Sequence, residues 1–562
     1  MSRRVPLPFL LLPLVAGLHC RPPEEASLVL YNGVVYTVDS AFTVTEAVAV
    51  KGDRIAAVGT TTEILRRFGR ERAVDLGGRP VYPGLIDAHA HMEGLGNALV
   101  TVDLRAVASL DTVRARVARQ AAETPAGGWV RGRGWDQNLW PGGEFPTRHD
   151  LDAAAGGVPV YLRRIDGHAV WVNTAALRIA GITAATADPP GGRIMRDARG
   201  EPTGVFVDNA TDLLASRVPS PGPAERRAAL ARAVQECLKH GLTQVHDMGV
   251  DLETIEIYRA MIAAGEFPFR VYALVGGAGD TWDRFRTAGP DTGGPGARLA
   301  VRALKVYADG ALGSRGAALL EPYSDEPGNR GLAVTSPGAI DTLVAQAVQA
   351  GFQVCAHAIG DRGNRMMLDA YERAFARVPG GGAPLRFRVE HAQVLAPADI
   401  PRFARLGVIP SMQPTHCTSD MPWAEKRVGP ERIRGAYAWR SLLETGVIIP
   451  GGSDFPVELC NPLHGFYAAV TRTGRDGRPD GGWYAAQAMT REEALKAFTL
   501  WAARSAFQER EKGSLEPGKV ADLVVLAEDI MKVPAAAIPD ARVEATLVGG
   551  EVVFASPASP VR

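Results

Sequence analysis

The chain has 562 residues, 46% of them hydrophobic and 22% charged, and its 62 basic side chains are balanced by 62 acidic ones. That composition suits a globular protein with one large barrel or a few domains, and its charge balance leaves no electrostatic footprint for nucleic acid. No internal apolar run approaches the length of a membrane span.

The opening "MSRRVPLPFLLLPLVAGLHCRPPEE" carries Arg3 and Arg4, an apolar core over residues 5–18 and a polar spacer with prolines. This is the layout of an export signal, expected over residues 1–20. Acylation of Cys20 would make a lipoprotein, although His19 stands where a small residue is usual; cleavage after Gly17 by an ordinary signal peptidase is the alternative. Either way the chain is expected in the periplasm or cell envelope, lipid-anchored or soluble. The other cysteines, Cys237, Cys355, Cys417 and Cys460, lie far apart without Cys-x-x-Cys spacing, and are read as isolated buried thiols.

Residues 27–82 alternate like short strands, with hairpin signals at Asn32-Gly33 and Gly52-Asp53, and residues 513–556 read the same way. Each flank has too little core of its own, so the two together predict one composite β-domain. The stretch between, residues 83–512, has another rhythm. "VYPGLIDAHAH" is an apolar strand, and after residue 223 helical stretches alternate with further apolar runs: "LTQVHDMG", "VRALKVYADGALGS", "FQVCAHAIGD", "LRFRVEHAQ", "VIPSMQP" and "VIIPGGSDFP". Alternation of that length predicts parallel β/α units closing a (β/α)8 barrel. Residues 95–223 are less regular and read as an insertion over the barrel mouth; Trp129, Trp135, Trp140 and Trp171 there form either the core of a small subdomain or a substrate wall.

The apolar runs end in polar residues that strand propensity would not choose. Asp87, His89 and His91 alternate with alanines, so one strand face would carry all three; two imidazoles so placed can grip one cation while the aspartate orients a ring. Lys305, His357, His391 and Asp454 occupy matching places in later units. Taken singly, each has a plainer explanation: solvated hairpin histidines, a snorkelling lysine, satisfied core histidines, a capping aspartate. Taken together they converge, because active sites of such barrels form at the C-terminal strand ends. His416 follows a strand end and would line the mouth without marking itself as a ligand, and His246 reads as structural.

The set "PGLIDAHAHM", "LKVYADGALGSRGAAL", "HAIGDRG", "EHAQ", "GGSDFPV" and "GSLEPGKVADLVVL", with "GRGWDQNLW" and "DGHAVWVNTAAL", resembles the amidohydrolase superfamily. More narrowly it resembles the type-3 branch that includes N-substituted formamide deformylases. The resemblance implies a distorted (β/α)8 TIM barrel, a small β-sandwich built from both termini, and hydrolysis of a carbon–nitrogen bond at one or two divalent metals. By position it assigns His89, His91 and Asp454 to one metal, His357 and His391 to a second, and Lys305 to the bridge between them. Two Zn2+ ions suit these donors, with Mn2+ and Fe2+ also fitting.

On this reading the substrate is a small-molecule amide. Asp454 is the general base and then acid, His168 and Arg315 hold the carbonyl oxygen or a substrate carboxylate, and Trp135 and Asp136 face the substrate. A buried Lys305 beside positive charge would be neutral and able to take up carbon dioxide as a carbamate. A mononuclear deaminase would require a glutamate shortly after His357, where the chain offers only Asp361. A binding homologue without activity is the remaining alternative.

Overall fold

The fold is taken from a computed structural model that describes residues 24–277 and 279–562. The expected export signal and Cys20 lie outside the described residues.

Seven parallel strands stand side by side in the order Leu85–Ala90, Leu242–Val250, Arg270–Gly276, Leu299–Tyr307, Gln353–Ala358, Arg388–His391 and Ile409–Ser411. They are covered on both sides, so they read as nearly continuous apolar runs rather than alternating ones. The eighth position is filled by an extended segment, residues 447–452. On one side it receives a hydrogen bond from Met412 N to Pro450 O (3.0 Å); on the other, Ala88 N donates to Gly451 O (2.9 Å). The barrel therefore closes through isolated bonds rather than a regular strand, which is the distortion. Gly452 makes that closure fit, since a Cβ there would lie 2.6 Å from His89 N.

The barrel helices begin and end where local chemistry dictates. Pro337–Ala350 is capped by the Ser336 side chain, starts with proline in its first turn and stops at Gly351 in the left-handed conformation. Ile400–Leu406 stops the same way at Gly407. All four described cysteines are free and buried.

The two flanks meet as expected. Strand Pro80–Pro83 lies antiparallel to Leu523–Leu526, with Tyr82 opposite Val524, inside a six-stranded sheet. A four-stranded sheet from the N-terminal flank packs over it around Leu30, Val48, Val81, Leu523 and Leu547. The buried Arg270–Asp522 ion pair (2.7 Å) fastens this β-sandwich to the barrel.

The insertion forms its own six-stranded mixed sheet, from Val102–Asp103 to Pro202–Asp208. Trp135, Trp140 and Trp171 pack in its core, and Trp135 Nε1 donates to Leu162 O (2.9 Å). This corrects the expectation that Trp135 faces substrate: it is fully buried inside the insertion.

Candidate metal centre

The first barrel strand and the segment after residue 452 are tied together at the mouth. Asp87 accepts from the backbone N–H of His89 (3.0 Å) and from the N–H and hydroxyl of Ser453 (3.1 and 2.6 Å). Burial pushes its carboxyl up to about 7. Asp87 thus locks strand to loop and does not orient an imidazole, contrary to the sequence expectation. That task falls to Glu390, whose Oε2 lies 2.7 Å from His89 Nδ1. Glu390 is itself paired with the buried Arg388 (2.7 Å), and Arg388 also holds the structural His246 at Nδ1 (2.9 Å).

With Nδ1 engaged by a carboxylate, the lone pair of His89 is left on Nε2. That atom faces Lys305 Nζ at 3.2 Å and Asp454 Oδ1 at 3.6 Å, and His91 Nε2 approaches the same oxygen at 3.3 Å. His391 is fixed likewise, its Nδ1 2.7 Å from Gln413 Oε1. Its ring lies 4.7 Å from that of His89 and 4.6 Å from that of His357, centroid to centroid. His357 Nε2 is 3.6 Å from Asp309 Oδ1, and Asp309 is held by three backbone N–H donors from Ala318, Ile359 and Gly360.

Two of these residues are placed at a conformational cost. His391 has φ 71° and Asp454 φ 58°, a region that non-glycine residues seldom enter and that clusters at functional sites.

The electrostatics follow from burial. His89, His357 and His391 are kept neutral: burial and then neighbouring positive charge hold their pKa values well below the usual imidazole range. Lys305 is lowered to about 8, chiefly by burial. Burial alone would raise Asp454, but His89 and His91 outweigh it and keep the carboxylate ionised. Its Oδ1 is buried without a hydrogen-bond partner, and one donor atom from each of His89, His391 and Asp454 lies within 4.8 Å of the others. Neutral imidazoles with oriented lone pairs, plus one unpartnered carboxylate oxygen, fit a divalent cation.

Two cavities, of about 580 and 460 Å³, flank this group and share His168, His357, His391 and Asp454 in their walls. His168 comes from the insertion. Asp208 Oδ1 lies 2.8 Å from its Nδ1, and although burial opposes it, that carboxylate raises the His168 pKa. Asp136 lines the larger cavity but is paired with the buried Arg164 (2.5 Å). Arg315 is elsewhere. It pairs with Asp325 (3.1 Å) and Glu326 (3.4 Å) and lines neither cavity, which corrects its expected contact with substrate. His416 stands at the mouth as expected, stacked on His391 with its Nε2 3.8 Å from Asp454 Oδ2.

Sequence reasoning does not find Glu390, Gln413, Asp208 or Asp309. The one local signal for Glu390 is a charged pair, Arg388 and Glu390, two apart in a fully buried strand.

Residues 72–554 match the family model described as "Amidohydrolase family". The chain belongs to the amidohydrolase family. Among amidohydrolase relatives it is 32% identical to the N-substituted formamide deformylase of Arthrobacter pascens, over 94% of this chain and 98% of that protein. It is 35% identical to the protein LONG AFTER FAR-RED 3 of Arabidopsis thaliana, over 94% of this chain and 92% of that one. Among solved structures, an uncharacterized metal-dependent hydrolase from Pyrococcus horikoshii OT3 superposes with a TM-score of 0.72 at 27% identity, covering 90% of this chain and 98% of that chain.

Proposed function

We propose that this amidohydrolase is a metal-dependent hydrolase of small non-peptide amides, with N-formyl and N-acyl amines as its substrate class. The observation that carries the reading is the gathering of His89, His91 and His391 around Asp454 at the barrel mouth, with His357 beside His391 and the rings of His89 and His391 oriented by Glu390 and Gln413. Similarity to a formamide deformylase supports the choice of bond.

His89, His91 and Asp454 would hold one divalent cation, His357 and His391 a second, with Lys305 between them. When bound, such cations supply Lewis acidity toward a carbonyl oxygen and lower the pKa of water. Lys305 meets the requirement for a bridge if its neutral amine adds to carbon dioxide. A nitrogen–carbon bond forms, one proton leaves, and the product carries a single negative charge shared by two oxygens. Burial, which brings its pKa to about 8, makes the neutral amine accessible.

Asp454 stays ionised, so its carboxylate can accept the proton of the attacking water and return it to the departing nitrogen. His168, steadied through Nδ1 by Asp208, presents Nε2 to the cavities and donates to the carbonyl oxygen. The deaminase alternative gains nothing from Asp361, which accepts from Leu320 N (2.8 Å) and lines neither cavity.

The test is zinc- or manganese-loaded protein offered a panel of N-formyl and N-acyl amines, with amine release measured. Release from at least one amide class is expected. Ammonia released only from aminated heterocycles would replace this reading with a deaminase. Silence on both panels at full metal content would leave a binding protein.

A further inference from the structure

In the insertion sheet, strand Val130–Trp135 runs parallel to Val160–Arg164, and the register sets Arg133 directly opposite Arg163. Neighbouring strands lie about 4.8 Å apart, and residues in register project to the same face. Two like charges therefore start from neighbouring positions on one face, Arg133 half-buried and Arg163 exposed, an arrangement that costs stability when nothing opposes it. Both line the cavity of about 460 Å³, together with His168, Lys305, His357 and Asp454.

The next arginine shows what ordinary pairing looks like here. Arg164 is matched by Asp136 at 2.5 Å and Asp166 at 2.6 Å. Among the described residues no carboxylate pairs with Arg133 or Arg163. Arg133 donates only to backbone carbonyls, Pro456 O at 3.3 Å and Ile165 O at 2.8 Å. Of the acidic groups in the same cavity, Asp166 is engaged by Arg164 and His168 N and Asp208 by His168, while Asp454 faces His89 and His91. Burial, then the neighbouring Arg163, lower the Arg133 pKa to about 10, against the opposing pull of Asp454 and Asp166.

We propose that Arg133 and Arg163 form an anion subsite that holds a carboxylate of the substrate, so that the protein acts on amides bearing a free carboxyl group. The inference rests on the amide-hydrolase reading above and narrows it. Paired guanidiniums present a planar fork that matches the two oxygens of a carboxylate. The subsite shares its cavity wall with the candidate metal ligands, which places the anionic end and the scissile bond within one small molecule. The carboxylate contact expected of Arg315 thus falls to two other arginines.

The experiment compares N-acetylglycine, N-acetyl-β-alanine and N-acetyl-4-aminobutanoate with their methyl esters, by calorimetry on metal-loaded protein. At least one acid should bind about tenfold or more tightly than its ester, and Arg163→Gln should collapse that difference at unchanged metal content. Arg163→Lys, which keeps the charge without the fork, should restore part of it. If no acid binds better than its ester, or if Arg163→Gln leaves the difference intact, the subsite is wrong. Binding is read separately from turnover. An acid preference in a protein that hydrolyses none of these compounds would count against the amide-hydrolase reading and not against the subsite.

Discussion

Glu390 Oε2 stands 2.7 Å from His89 Nδ1, and both side chains are closed off from solvent. The carboxylate fixes the imidazole's tautomer and raises its basicity, so the strength of the proposed metal site would depend on a residue that touches no metal. Replacing Glu390 by glutamine keeps an acceptor but removes the charge. Glu390→Gln should weaken zinc binding about tenfold or more, measured by competition with a chromophoric chelator. Unchanged affinity would show that the contact serves packing alone.

Asp454 is proposed both to ligate and to carry a proton. An asparagine could still coordinate through its oxygen but could not move the proton. Asp454→Asn should lower kcat by at least about a hundredfold. Steady-state kinetics on protein with verified metal content decides it, and near-normal turnover would remove the proton role.

Lys305→Ala should lose most of the bound metal and nearly all activity, since the proposed bridge goes with the amine. Short-chain carboxylic acids should restore part of both by occupying the vacated place. Elemental analysis with and without formate or acetate measures the rescue. A variant that keeps its full metal content without any added acid would exclude the bridge.

Asp208 can reach His168 because the chain is bare at Gly310 and Gly316: a Cβ at either would lie 2.3 Å from Asp208 Oδ2. Gly310→Ala should displace the carboxylate and loosen His168, lowering kcat/KM about ten- to a hundredfold, the scale of a small misplacement of a catalytic group. Metal content should be preserved. A variant as active as the parent would mean that the Asp208–His168 contact is dispensable.

Lys512 is buried against the β-sandwich and donates to Gln244 Oε1 (2.9 Å). Burial, then Arg270, lowers its pKa from 10.5 to about 7. Between those values the unfolded chain binds the proton and the folded chain does not, so stability rises with pH across that window and is lost as pH falls toward 7. The contribution to the slope is at most about 1.4 kcal/mol per pH unit. Lys512→Met should flatten the rise in urea midpoint between pH 7.5 and 9.5, and an unchanged slope would show that the lysine is already solvated.

The residues most legible in the sequence are those that recur at one place in a repeated unit. His89, His91, His357, His391 and Asp454 each follow an apolar run, and barrel closure then brings them together without further information. Strand Arg270–Gly276 ends in glycine, so a reading keyed on polar strand ends passes over it. Glu390 is harder to see because its partner His89 is 301 residues away, and nothing local marks a charged residue as buried. Trp135 and Arg315 show the opposite difficulty. Both sit in stretches that carry the family resemblance, yet one packs a core and the other pairs with Asp325 and Glu326. A motif locates a segment, whereas the direction of a side chain is settled by register and by neighbours distant in the chain.

The β-sandwich imposes an order on how this molecule is made. Val81 and Tyr82 are synthesised long before their partners Val525 and Val524. Until those partners arrive, the free side of Pro80–Pro83 presents unsatisfied backbone and an uncovered apolar face. A chain truncated before Leu523 keeps the candidate metal ligands in sequence yet leaves an open edge beside the barrel. Nascent chains of this protein should therefore depend on holding chaperones in proportion to how late translation stalls, and full-length release should end that dependence.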